Sequence, residues 1–273
     1  MDDVKWLYEI MLIIYGLSLV GYFINIIQNN RKASSIAFWL LSMVWLLQTV
    51  FLLQQVIVAK RFPVLTLYDG LSFYAWILIA FSLILSKWSR MPFMLFLINL
   101  LGFFILLLSI STNAAEHMQG PGIELVHEML IAHVTLAIMA YGFFTVSFIF
   151  SLMYLIQYRF LKQKKGFRWV RRIGDLTQLD MYSFKSVTVG VPLLTIAIIL
   201  GVGWAYAADA EFYWFDLKTI GSLLVLGVYT LYLLLRLGKG YQGKAISTYN
   251  VAAFLILLIN FFLFSNLSNF HLQ

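Results

Sequence analysis

The sequence predicts an all-α, polytopic integral membrane protein with about eight transmembrane helices and both termini outside. Three observations predict it. Hydrophobic residues make up 62% of the 273 residues and charged residues only 11%, against about 25% charged in an ordinary soluble domain. Such a chain cannot clothe a polar surface, so most of its solvent is lipid. The apolar residues fall in eight runs near the length, roughly 20 residues, that crosses a bilayer as a helix. The connectors between the runs alternate in their basic charge, as the two sides of a membrane require.

Taken in order, the first span covers 7–27. It follows the acidic start "MDDVKWLYEI", which has no basic lead and no small-residue cleavage site after it, so it reads as a permanent span and not as a removable signal peptide. The second, 36–58, is the most polar, with Gln48, Gln54 and Gln55 inside it. The third, 65–85, runs between Lys60, Arg61 and Lys87, Arg90, and the fourth is 93–110. The fifth, 130–158, is long enough to emerge from the bilayer at one end. The sixth, seventh and eighth are 187–208, 217–235 and 245–264. Backbone in lipid must satisfy its own hydrogen bonds, which makes these runs helices, and the period-two alternation of a barrel is missing. No internal repeat, low-complexity tract or soluble domain interrupts the chain, so 1–273 reads as a single transmembrane domain.

The odd-numbered connectors hold 15 of the 19 basic residues, eight of them in the 159–185 loop; the other side has Lys5, Lys60, Arg61 and Lys218. Of the 12 acids, only Asp175 and Asp180 lie with the basic connectors. Positive charge gathers on the cytoplasmic side. The odd connectors are therefore expected inside and both termini outside, with the basic loop lying against anionic lipid or docking a cytosolic partner.

Several function classes drop out. There is no Cys, hence no disulfide, thiolate metal site or Cys nucleophile. HExxH, phosphate-loop and GxSxG motifs are absent. No enzymatic step is expected. The net charge of +7 belongs to the connectors, so nucleic acid is not an expected partner. Glu9 and Asp69 fall near span ends, whereas ion-coupled pumps place acids within the membrane.

On the expected topology, all four histidines lie on the outer side: His117 and His127 before the fifth span, His133 at its top, and His271 two residues from the end. His127 and His133 are six apart, about 240° around a helix, so they cannot face one ligand together on a continuous helix. The same side carries "GVGWAYAADAEFYWFDLK", residues 201–218, the connector between the sixth and seventh spans. Two readings of its rings stand. One is an interfacial aromatic belt, with Trp and Tyr at headgroup depth. The other is a haem site, in which Trp204, Phe212, Tyr213, Trp214 and Phe215 give flat apolar surface and Lys218 pairs with a propionate. His133 and His271 would then supply neutral imidazoles to iron.

The 201–218 stretch resembles the tryptophan-rich WWD signature of the cytochrome c assembly family. Gly201, Trp204 and Ala205 match its first half, and Asp216 and Lys218 its end; Ala210, Phe215, Leu217 and Thr219 differ from it. The family's flanking external histidines correspond to His133 in "HVTLAIMAY" and His271 in "LSNFH", in the family's order. The stretches "QNNRKASSIAFWLLSMVWLLQT", "RFPVLTLYDGLSFYAW" and "NFFLFSNLSNFH" extend the resemblance to nearly the whole chain, and to the family's eight-span HemX-type branch. The resemblance implies non-covalent haem b at the outer face of a bacterial cytoplasmic membrane. It assigns His133 and His271 to the iron and Trp204, Phe212, Tyr213, Trp214, Phe215, Asp216 and Lys218 to the ring's surroundings. It also implies an influence on the level of glutamyl-tRNA reductase. Two alternatives accompany it: a subunit presenting haem to apocytochrome c, and a transporter of haem or a small solute.

Overall fold

A computed structural model describes residues 2–57, 67–88, 91–111, 128–164, 173–207 and 217–264. Among them are eight helices long and apolar enough to cross a membrane: α1 (Asp2–Gln28), α2 (Arg31–Ile57), α3 (Leu67–Trp88), α4 (Pro92–Ser111), α5 (Glu128–Lys162), α6 (Leu176–Ala207), α7 (Leu217–Gly238) and α8 (Lys244–Ile259). The last continues as a wider π turn through Asn260–Phe264. Large apolar side chains point outward from these helices, among them Trp39 at 69% and Leu237 at 72% exposure. That surface suits lipid and not water.

Contacts divide the chain into two compact units, Met1–Val126 and His127–Gln273. Composition gives no hint of this division, because both units are built from the same apolar spans. In the first unit the α1–α2 corner is written in "QNNRK": Asn29 takes the left-handed conformation (φ 55°), and the Asn30 side chain accepts the amide N–H groups of Lys32 (3.0 Å) and Ala33 (3.3 Å). These are a helix stop and an N-cap in consecutive residues. Pro92 opens α4 at the position where its missing N–H costs nothing. Polar groups join the helices: Ser18 donates to the Ala37 carbonyl (2.9 Å), and Asn99 of α4 reaches Ser82 of α3 (2.6 Å). Trp76 of α3 stacks on Trp45 of α2 and donates to Thr49 (2.9 Å).

In the second unit α5 and α6 run antiparallel along their length. Small residues on α6 let them approach. A Cβ on Gly190 would come within 2.6 Å of the Phe144 ring, and that ring stacks on Tyr229 of α7 with centroids 3.7 Å apart. Nearby, Asn250 of α8 places its Nδ2 within 2.7, 2.8 and 3.1 Å of the hydroxyls of Ser147, Ser151 and Ser183. All four residues are buried. At the basic end, Asp180 of α6 pairs with Arg236 of α7 (2.6 Å) and accepts the Gly243 N–H (3.2 Å), so one carboxylate ties three segments.

Two boundaries differ from the sequence reading. The 159–185 segment is helical at both ends, since α5 runs to Lys162 and α6 begins at Leu176, eleven residues before the expected 187. The reason is amphipathic continuity: Leu179, Asp180, Ser183 and Val187 form one buried face while Met181, Lys185 and Thr188 point outward. Charged residues extend a helix past the apolar run without ending it. Likewise the front of the 201–218 connector is the last turns of α6.

Candidate functional site

At the end of the second unit opposite the Asp180–Arg236 pair, the first turns of α5 meet the last turns of α6. His133 lies five residues into α5, and its Nδ1 is 2.5 Å from the carbonyl oxygen of Ala197. A carbonyl only accepts, so Nδ1 carries the proton and donates it. In a neutral imidazole so held, the lone pair is on Nε2. This is the arrangement of most metal-binding histidines, in which one ring nitrogen is held by an outer partner and the other is presented.

Gly201 makes that contact possible. In an α-helix the carbonyl of residue 197 accepts the N–H of residue 201, and the Cβ of 201 tilts back toward it. A Cβ at 201 would stand 2.6 Å from His133 Nδ1 and 2.7 Å from Cε1, inside the ring's own space. The bare Cα opens the Ala197 carbonyl to the side. One turn further, Ala205 is fully buried, and a Cβ on Gly203 would touch Met129. Trp204, half-buried, lies in the same turn.

Lys218, at the start of α7, is near enough for its charge to act on the imidazole. Two turns below His133, the Tyr141 hydroxyl receives the Asn260 Nδ2 hydrogen bond (3.0 Å) at the start of the π turn. The Asn260 Oδ1 is buried without a partner. Sequence reasoning missed Asn260 and Asn250. The available signal was an amide inside a run otherwise fit for lipid, "NVAAFLILLIN".

Of the sequence-predicted residues, the structure gathers His133, Trp204 and Lys218 at one end of one unit, together with Gly201 and Ala205 of the same signature. His271, Phe212, Tyr213, Trp214, Phe215 and Asp216 lie outside the described residues, as do His117 and His127. Among the described residues no three His, Asp or Glu side chains gather as a metal cage. A haem needs less from the protein, because its macrocycle supplies four nitrogens and the chain adds one or two axial ligands. An imidazole held through Nδ1, at the same end of the unit as Trp204 and Lys218, fits that requirement.

The profile of the cytochrome C assembly protein family matches residues 64–272. The chain belongs to the cytochrome c assembly family. Protein HemX of Bacillus subtilis (strain 168) is 45% identical over 260 residues, which are 95% of this chain and 94% of that protein. Protein HemX of Brevibacillus brevis is 38% identical over 271 residues, 99% of both chains. A cytochrome c biogenesis protein CcsA from Chlamydomonas reinhardtii is 29% identical over 205 residues, 72% of this chain and 56% of that one. No solved structure matches. The family match takes in α3 to α8 and hence His133, the WWD-like stretch and His271, while the HemX likeness extends over α1 and α2 as well.

Proposed function

We propose that this cytochrome c assembly family member binds haem b without a covalent bond at the outer face of a bacterial cytoplasmic membrane, and handles or senses it without bond-making catalysis. The observation that carries the reading is the His133 imidazole, fixed through Nδ1 to the Ala197 carbonyl in the space left by Gly201. That geometry leaves Nε2 as a nitrogen ligand of set direction. When bound, haem supplies an iron centre able to accept imidazole nitrogen and change redox state. The chain's own residues do the rest. His133 and His271 would hold the iron; Trp204, Phe212, Tyr213, Trp214 and Phe215 would cover the ring, and Asp216 and Lys218 would meet its polar edge. The basic loops hold the opposite ends of the helices in the cytoplasm.

The absorption spectrum of the protein purified from haem-replete membranes tests this. A Soret band in proportion to protein supports the reading, and a spectrum of protein alone, unchanged by added haemin, ends it. The likeness to HemX proteins carries the proposal further, to a link with the level of glutamyl-tRNA reductase; the enzyme's abundance in cells lacking this protein is the readout. The CcsA likeness favours a second reading, presentation of haem to apocytochrome c. Loss of covalently haem-bearing cytochromes in the same cells, with normal reductase levels, supports that reading over the first.

A further inference from the structure

The first unit contains a recess of mixed polar and apolar lining that the haem reading does not use. Gln48 and Gln55 face it from α2, Asp69 and Ser72 from the first turns of α3, and Tyr8 and Met11 from α1. Spacings of seven and three along a helix keep each pair on one face. Gln48 is only 5% exposed, and neither its Oε1 nor its Nε2 has a hydrogen-bond partner among protein atoms. A buried amide without a partner is costly at membrane depth, a cost that an apolar side chain would not incur.

The two ends of the amide together specify what answers them. Oε1 needs a donor and Nε2 needs an acceptor. A bare cation serves only the oxygen and an anion only the nitrogen. A hydroxyl compound serves both. The recess has a cavity volume of ≈ 20 Å³, more than the roughly 10–15 Å³ that one water needs. We propose that the recess is an internal hydration site, in which a water molecule is held by Gln48 with the Asp69 carboxylate in its wall. Asp69 is itself 5% exposed, so water at this point hydrates an acid that the fold has drawn inward.

Radiolytic footprinting reads this directly. An X-ray pulse turns water into hydroxyl radical, which adds to the nearest methionine sulfur, and dissolved oxygen takes the resulting sulfur radical on to the sulfoxide. Met11 lines the recess at 1% exposure, and Met94, in the same unit on α4, is buried at 0%. The expected result is oxidation of Met11 severalfold faster than Met94 in the intact protein, falling to the Met94 rate in Gln48→Leu. Equal rates in the unaltered protein overturn the proposal, whatever the variant does. A fast Met11 rate that survives Gln48→Leu overturns the assignment of Gln48 as the holding residue.

Discussion

His133 rests its imidazole against the bare Cα of Gly201, and this contact gives the ring access to the carbonyl one turn back on the same helix. A glycine inside an apolar helix is ordinarily a weakness of about 1 kcal/mol relative to alanine. Here it is the opening through which an imidazole reaches a backbone acceptor.

Gly201→Ala therefore reverses the usual sign. Helix propensity favours the alanine, but its Cβ would meet the ring at 2.6 Å. Overpacking of about 1–3 kcal/mol and a lost hydrogen bond of about 1 kcal/mol outweigh the gain. Thermal unfolding in detergent is expected to show destabilisation, together with lower haem retention. Gly227→Ala, where nothing stands within 4 Å of the new Cβ, is expected to be neutral or stabilising.

At the other end of the same unit, the Asp180–Arg236 pair is nearly enclosed, with side-chain exposures of 12% and 11%. The guanidinium also lies over the Phe184 ring at 5.0 Å. Arg236→Ala leaves a carboxylate with the Gly243 N–H as its remaining bond shown here. A loss of about 3 kcal/mol is expected, as for other buried pairs deprived of one partner. The double variant with Asp180→Ala should lose less than the two single losses added together, in a double-mutant cycle by denaturant unfolding.

Asn250 joins α8 to α5 and α6 through three serine hydroxyls. Polar contacts between helices in membranes average about 0.6 kcal/mol and reach about 1.7 kcal/mol. With several such contacts on one amide, Asn250→Leu is expected to cost about 1–2 kcal/mol in an unfolding titration. Asn250→Asp should cost more, because it sets a carboxylate among hydroxyls inside the bundle.

The topology has its own check. Reporter fusions after Lys165 and at Gln273 are expected in opposite compartments, the first cytoplasmic, because 15 of 19 basic residues fall on one side. Both reporters in one compartment would contradict the eight-span arrangement with outer termini.

The spans were legible in the sequence because length and apolarity alone decide them. Expected 7–27 and 217–235 became the membrane-crossing parts of helices Asp2–Gln28 and Leu217–Gly238. The start of α6 was not legible, since Asp180 and Lys185 mark a loop by charge while their spacing belongs to a helix. Asp69 read as a span-end acid and proves buried. Sequence position gives depth along a helix, but which way a residue faces depends on its neighbours. The signature letters at Gly201, Trp204 and Ala205 were visible as a pattern. The reason for the glycine was not, because it belongs to a residue 68 positions earlier on another helix.

The absorption spectrum of His133→Ala beside the unaltered protein, both purified from haem-replete membranes, tests the proposed ligation most directly. If His133 and His271 both hold the iron, the unaltered protein is expected to show a six-coordinate low-spin spectrum. His133→Ala then loses the haem or turns five-coordinate, and imidazole in the medium restores part of the band, since the missing ligand is a neutral imidazole. His117→Ala leaves the spectrum in place. Undiminished haem and an unchanged low-spin band in His133→Ala would contradict the assignment.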